Sequence, residues 1–272
     1  MPDDNLLIEL ERQRDEIARQ KKEIIYSLQY ASLIQSALLP TESVLNRYLP
    51  DNFILYLPKD IISGDFYWLA EKNNKIIFAA ADCTGHGVPG ALMSILGISF
   101  LNEILQEKCA LKANRMLNQL REKIMKALHQ TGEVAKSKDG MDIALCIYTP
   151  DSGELQYSGA NNPLYLIRKN DMEEIRPDKM PIGISGTEEL SFSNQMLKIL
   201  PGDIVYLFSD GFADQFGGVW GKKFKYKQFK ELLLEIHHKP LPDQREILVS
   251  ALEEWKGDLE QVDDILIMGV RF

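Results

Sequence analysis

Leu10, Ile17, Ile24, Ala31 and Leu38 recur at seven-residue intervals, and from Asn5 to Leu38 there is neither glycine nor proline. That pattern predicts one long helix over 5–38, ended by Pro40. The companion seam is polar at Gln13, Gln20 and Ser27 and apolar only at Ile34, so the stripe has one good heptad row and one poor one. It suits either a weak coiled coil that makes the chain a dimer or a helix lying along its own domain with a solvated outer face. From about Asn52 the period changes to short strand-like runs at 53–57, 66–70, 76–81, 143–148, 155–158, 164–168, 204–208 and 265–270. Turn clusters such as Lys72-Asn73-Asn74-Lys75, Pro150-Asp151-Ser152-Gly153 and Lys169-Asn170-Asp171 separate them, as antiparallel hairpins require. Helical patterns at 90–107, 113–131, 226–237 and 243–254 come in pairs between the groups of strands. This predicts an α+β domain with antiparallel sheets rather than a doubly wound parallel one. The expected division is a helical linker over 1–40 and one catalytic domain over 41–272.

The formal net charge of −9, with no compensating basic stripe, argues against nucleic acid as a partner. The local run Lys222-Lys223-Phe224-Lys225-Tyr226-Lys227 reads as a solvated loop before a helix. Cys83, Cys109 and Cys146 are odd in number and widely spaced, so neither a disulfide framework nor a zinc cage is expected, and a reducing cytoplasm fits. The acidic start and the lack of a long apolar stretch predict no signal peptide and no membrane insertion.

Four aspartates stand beside strand-like runs and next to glycine or a second carboxylate. They are Asp65 in Ser63-Gly64-Asp65-Phe66-Tyr67, Asp82 in Ala81-Asp82-Cys83-Thr84-Gly85-His86-Gly87, Asp210 in Ser209-Asp210-Gly211, and Asp263 in Val262-Asp263-Asp264-Ile265. One Asp-Gly pair is ordinarily a cap or turn. Four of them at strand ends imply distant segments gathered to hold hard cations through oxygen ligands, because a dense carboxylate cluster repels itself unless cations neutralise it. Two such ions can share a water, lower its pKa and aim it at phosphorus, so that no protein nucleophile is needed. The usual nucleophile signatures are indeed missing: there is no Gly-x-Ser-x-Gly elbow, and Cys83 lacks the basic neighbours that would activate a thiol. Gly85-His86-Gly87-Val88-Pro89-Gly90 carries a proline where a dinucleotide fingerprint would not.

Taken with Ile34-Gln35-Ser36-Ala37-Leu38-Leu39-Pro40, Gly159-Ala160-Asn161-Asn162-Pro163 and Met180-Pro181-Ile182-Gly183, these motifs make the chain resemble a SpoIIE-type serine phosphatase of the PPM (metal-dependent protein phosphatase) family. The resemblance implies two stacked antiparallel sheets with helix pairs outside. It also implies hydrolysis of phosphoserine or phosphothreonine on a regulatory protein, commonly a STAS-type anti-sigma-factor antagonist, with two or more Mn²⁺ or Mg²⁺ ions. Carried over, Asp65 and Asp82 resemble bridging ligands, with the Cys83 backbone carbonyl beside them. Asp210 and Asp263 match the remaining carboxylates, and Asp264 is an alternative to Asp263. His86 reads as a structural histidine or a general acid, Lys59 as a solvated lysine or a phosphoryl contact, and Asp142 as a turn residue or a further ligand. His129, His237 and His238 read as helix-end or surface residues, and Asn161 and Asn162 as a turn. Two other functions stay open beside the enzyme: a phosphoprotein-binding pseudo-phosphatase and a dimeric signalling scaffold.

Overall fold

Strand runs such as Ile204-Val205-Tyr206-Leu207-Phe208 are apolar at every position, which means that both faces of the sheet they belong to are covered. The structure, a computed structural model, describes residues 4–107, 111–130, 138–186 and 190–272, the side chains of 4–6 excepted; Cys109 and Thr131 lie outside the described residues. Along the chain the elements are α1 (Asp4–Leu38), α2 (Glu42–Tyr48), β1 (Asn52–Leu57), β2 (Phe66–Lys72), β3 (Lys75–Cys83), α3 (Gly87–Gln106), α4 (Ala113–Ala127), β4 (Met141–Thr149), β5 (Glu154–Ala160), β6 (Leu164–Arg168), β7 (Asp171–Ile175), β8 (Gln195–Lys198), β9 (Ile204–Phe208), α5 (Gly211–Asp214), β10 (Phe216–Gly217), β11 (Lys222–Lys223), α6 (Lys225–Ile236), α7 (Leu241–Lys256) and β12 (Ile265–Arg271).

Two five-stranded antiparallel sheets form, in the orders β1-β12-β9-β6-β7 and β2-β3-β4-β5-β8, with β10 and β11 as a small separate ribbon. Strand alternation divides the side chains into three cores. Phe78, Ala80, Ala144, Cys146 and Tyr157 meet Leu164, Leu166, Val205, Leu207, Leu266 and Met268 between the sheets. The alternate residues of β3, Ile77, Ala79 and Ala81, face outward onto Met93, Ile98, Leu101, Leu117 and Leu120 of α3 and α4. On the opposite side Tyr165, Tyr206 and Phe208 pack under Phe229, Leu233, Leu248 and Leu252 of α6 and α7. The layer order is therefore helices, sheet, sheet, helices, as the resemblance implies.

Several elements escape the sequence pattern. β7 (Asp-Met-Glu-Glu-Ile) and β8 (Gln-Met-Leu-Lys) are edge strands with mostly polar, exposed residues, so they carry no apolar run. α2 and α5 are short, seven and four residues. Asp142 does not precede a strand but lies inside β4, paired with Asp82. α3 is long and apolar enough to cross a membrane by length and composition, contrary to the expectation of no such stretch; its apolar residues Met93, Ile98, Leu101 and Ile104 are buried against the sheet and α4.

The long helix exists, but its heptad row is not what joins it to the domain. Leu10, Ile17 and Ile24 stay 53%, 64% and 60% exposed, and Leu38 is still 40% exposed. The face that turns inward is Leu28, Ser32, Gln35 and Leu39, of which Gln35 and Leu39 are buried.

Candidate metal centre

The sheet register gathers the acidic residues at one end of the gap between the sheets. In the β2–β3 pairing Phe66 stands opposite Ala81, so Asp65 and Asp82 follow one step beyond, and Asp82 stands opposite Asp142 in β4. By alternation Asp82 shares its face with Ala80 and Phe78, the face that looks into the inter-sheet gap. From the other sheet, β9 runs into Ser209-Asp210 and β12 begins just after Asp263-Asp264. The Ser209 N–H donates to the Leu266 carbonyl at 2.9 Å, and the Leu266 N–H donates to Ser209 Oγ at 2.9 Å, which ties these two strand ends together. Close backbone approach makes this possible. A Cβ on Gly211 would lie 2.0 Å from the Asp264 carbonyl, and one on Gly90 would lie 2.1 Å from the Gly85 carbonyl. Gly64 likewise passes so near the Gly85 and Cys83 carbonyls, 2.6 and 3.3 Å from its would-be Cβ, that only glycine fits. The Cys83 carbonyl is thereby set beside the Gly64-Asp65 backbone.

Electrostatically these carboxylates behave as one group. Asp65 is 2% exposed, and burial first, then Asp82, with Asp264 and Asp263 behind, pushes its carboxyl well above the usual range. Burial does the same to Asp82, assisted by Asp210, Asp263 and Asp142 and opposed by a hydrogen bond from the Asp210 backbone. Asp210 is raised to about 6 by burial, then by Asp263, Asp214 and Asp142, with Lys223 pulling the other way. Asp142 is raised by burial, while the Asn161 side chain, 2.8 Å away, favours its charged form. Among the described residues no three acidic, histidine or cysteine side chains close into a ready-made cage. Asp65 Oδ2, however, is buried without a hydrogen-bond partner, an arrangement that an oxygen-seeking cation would complete. The donor set of aspartate oxygens and one carbonyl is that of a hard divalent ion. Asp65, Asp82, Asp210, Asp263 and the Cys83 carbonyl are the residues that could hold it. Asp264 differs: its Oδ1 accepts from the Lys59 N–H and its Oδ2 from the Gly64 N–H, each at 2.7 Å, so it is already engaged in fixing the β1–β2 loop at two points. The Cys83 thiol is buried and pushed upward, first by burial and then by Asp82 and Asp65, which keeps it protonated and unreactive.

Beside this cluster lies a chain of three polar side chains. His86 Nδ1 is 2.7 Å from Asp60 Oδ2 and its Nε2 is 3.0 Å from Lys59 Nζ. An ammonium only donates, so Nε2 is the acceptor and the ring proton sits on Nδ1 facing Asp60. In this arrangement His86 offers no proton at Nε2. Asp60 was invisible in the sequence because it lies in an irregular loop. His129 has a left-handed backbone at the end of α4, and His237 contacts the Leu234 carbonyl at the end of α6. Asn161, with φ of 56°, makes the turn before β6.

A second residue the sequence did not single out is Gln35. It is 4% exposed, its Oε1 accepts from the Ser63 N–H at 3.1 Å, and its Nε2 donates to the Ser63 carbonyl at 2.6 Å and to Ser94 Oγ at 2.8 Å. The last turns of α1 thus grip the peptide two residues before Asp65 and the first turns of α3 together. The spacing 28, 32, 35, 39, a second stripe beside the heptad row, is the signal that marks it.

Comparison with known proteins agrees with this picture. The SpoIIE family, described as Stage II sporulation protein E, matches residues 72–272; the match begins after Asp65, whose place rests on the geometry above. The phosphoserine phosphatase RsbU of Bacillus subtilis (strain 168) is 24% identical over 203 residues, 71% of this chain and 55% of that protein. The chain therefore spans about half the length of that curated relative. Among solved structures, the SiaA-PP2C domain of Pseudomonas aeruginosa superposes with a TM-score of 0.85 at 33% identity, covering 94% of this chain and 99% of that one. The PP2C phosphatase domain of SpoIIE from Bacillus subtilis, solved with a fragment of its regulatory domain, gives 0.65 at 18% identity over 82% of this chain and 63% of that chain, a likeness of fold.

Proposed function

The chain belongs to the SpoIIE family of PPM-type serine phosphatases, and from that premise we propose that it hydrolyses phosphoserine or phosphothreonine on a regulatory protein of the STAS anti-sigma-factor-antagonist kind. The observation that carries this is the buried Asp65, facing Asp82 across the end of the sheet with one oxygen unsatisfied, while Asp210 and Asp263 approach from the second sheet. Asp65, Asp82, Asp210, Asp263 and the Cys83 carbonyl would hold two or more Mn²⁺ or Mg²⁺ ions. When bound, such ions supply an activated water and neutralise phosphoryl charge. The remaining work belongs to the protein. Asp264 and Gln35 fix the loop between β1 and β2 that carries Lys59 and Asp65, and Lys59, steadied by His86 and Asp60, offers an ammonium to the phosphoryl oxygens or to the leaving alkoxide.

The N-terminal segment 1–40 serves as a dimerising linker to the catalytic domain of 41–272, because Leu10, Ile17 and Ile24 form an apolar row that the domain leaves uncovered. The buried free thiols Cys83 and Cys146 suit a reducing cytoplasm. Release of inorganic phosphate from a phosphoserine protein, with and without Mn²⁺, tests the proposal. Asp82→Asn and Asp210→Asn should each lower turnover more than about tenfold, equivalent to about 1.4 kcal/mol of barrier, with circular dichroism unchanged. Retention of more than that activity at saturating Mn²⁺ would show the ligand assignment to be wrong, and a wild-type chain that binds the phosphoprotein without turnover would make it a pseudo-phosphatase.

A further inference from the structure

Next to the carboxylate cluster lies a cavity of about 470 Å³ that the proposed chemistry leaves unused. The Gly159-Ala160-Asn161-Asn162-Pro163 motif builds one wall of it. The Asn161 N–H donates to the Asp178 carbonyl at 2.9 Å and the Asp178 N–H donates to the Gly159 carbonyl at 3.0 Å, which pins the segment carrying Arg176, Pro177 and Lys179 against the turn. Gly159 is needed for this, since a Cβ there would lie 2.8 Å from Pro177 Cβ and 2.0 Å from Tyr157 Oη. The Asp178 carboxylate is itself held, accepting from the Ser193 N–H at 2.7 Å and from Ser193 Oγ at 2.9 Å. Buried Tyr165 and partly exposed Tyr226 complete its lining. The wall is therefore preformed.

The cavity is also joined to the centre. Asn161, which lines it, donates to Asp142 Oδ1 at 2.8 Å, and Asp142 stands opposite Asp82 in the sheet. The other lining groups are two exposed cations, Arg176 and Lys179, whose charged ends meet no carboxylate and no hydrogen-bond acceptor among the described residues. Their neighbours are engaged: Lys223 pairs with Asp214 and Lys230 with Glu174. In a chain of net charge −9, two unpaired cations over an aromatic and proline-lined hollow beside the centre are a complement for an anion with an apolar stem. A phosphorylated side chain seated at the carboxylates would carry its flanking residues past this opening.

We propose that this cavity is a specificity subsite that takes an aspartate or glutamate of the substrate protein close to the phosphorylated residue, with Arg176 and Lys179 binding its carboxylate and Tyr165, Pro163 and Pro177 its stem. The assignment rests on the phosphatase reading above. The test uses the full chain with Mn²⁺ on two phosphoserine peptides that differ only in carrying glutamates or alanines at the flanking positions, with p-nitrophenyl phosphate as a substrate that has no flank. The glutamate peptide should be preferred by about tenfold in kcat/KM, which is about 1.4 kcal/mol, and the preference should shrink as ionic strength rises. Arg176→Glu combined with Lys179→Glu should abolish the preference and Arg176→Ala should reduce it, both leaving p-nitrophenyl phosphate hydrolysis unchanged. The proposal is overturned by a wild-type enzyme indifferent to the flank, by a double variant that keeps the preference, or by equal losses on all three substrates. Absence of phosphate release from every substrate would overturn the phosphatase reading itself, and this subsite with it.

Discussion

Stripping divalent cations from the protein should make its fold weaken as the pH rises, and returning them should reverse the trend. The folded Asp210 carboxyl is raised from 3.8 to about 6, by burial first and by Asp263, Asp214 and Asp142 after it. Between those two values the unfolded chain releases its proton and the folded chain retains it. The unfolded state then binds fewer protons, so the free energy of unfolding falls with increasing pH. At about 1.36 kcal/mol per pKa unit, the rise at Asp210 corresponds to at most about 3 kcal/mol, lost progressively up to about pH 6 and constant above it. Asp65 and Asp82 are displaced in the same direction, burial again being the largest cause, so they add to the decline. A cation favours the ionised carboxylates. It therefore binds more tightly as pH rises, and at a hundredfold excess over its Kd it contributes about 2.7 kcal/mol.

The assay is thermal or urea unfolding from about pH 4 to about pH 8, in EDTA and in saturating Mn²⁺, for the wild type and for Asp210→Asn. Ordinary surface carboxylates titrate in both proteins, so the quantity to follow is the difference between them. In EDTA the wild type should lose stability relative to Asp210→Asn as the pH climbs from about 4 to about 6, by at most the 3 kcal/mol worked out above. In Mn²⁺ near neutral pH the order should invert, since the variant lacks one ligand. A difference that is flat or of opposite sign in EDTA, or a neutral-pH midpoint indifferent to Mn²⁺, would refute the reasoning, because the cluster would then be neither self-repelling nor cation-holding.

Three other outcomes follow from the same geometry. Gln35→Ala leaves the Ser63 peptide and the Ser94 hydroxyl without their buried partner, so stability should fall by about 2 kcal/mol or more and kcat should fall as well; unchanged kcat would mean that the grip on the Asp65 loop is only structural. Cys83→Ser keeps the backbone carbonyl and removes a thiol that burial holds protonated, so near-normal rates are expected, and complete loss of activity with metal binding preserved would favour a thiol intermediate. Placing charges at Ile17 and Ile24, both more than half exposed, should shift a dimer toward monomer in sedimentation velocity and alter turnover of the phosphoprotein more than that of p-nitrophenyl phosphate; a double variant that stays dimeric would remove the helix from the interface.

What could be read from the chain divides along physical lines. Strands buried on both faces announce themselves as unbroken apolar runs, and 164–168 and 204–208 coincide with β6 and β9 to the residue. The edge strands β7 and β8 do not, because they are partly open to solvent and carry its polarity, whereas the other two edge strands, β1 and β2, stay largely covered and keep their apolar runs. The ligand candidates were legible because carboxylates at strand ends beside glycine are conspicuous in one dimension. The groups that hold them in place were not: Gln35, Asp60 and the two backbone contacts of Asp264 act across separations of 28, 26, and 205 and 200 residues, and nothing in local periodicity records such a pairing. The N-terminal helix shows the same limit from the other side. Its heptad row is the more regular stripe and faces solvent, whereas the less regular 28-32-35-39 stripe is the one that enters the domain. Regular spacing of apolar residues thus told where a surface is unsatisfied, and a single buried glutamine off that row told where the helix is attached. Because that attachment ends on the Ser63 peptide, whose neighbour Gly64 donates to Asp264, whatever covers the exposed row bears on the helix that clamps the Asp65 loop. Through Gln35 the uncovered stripe and the carboxylate cluster share one connected set of contacts.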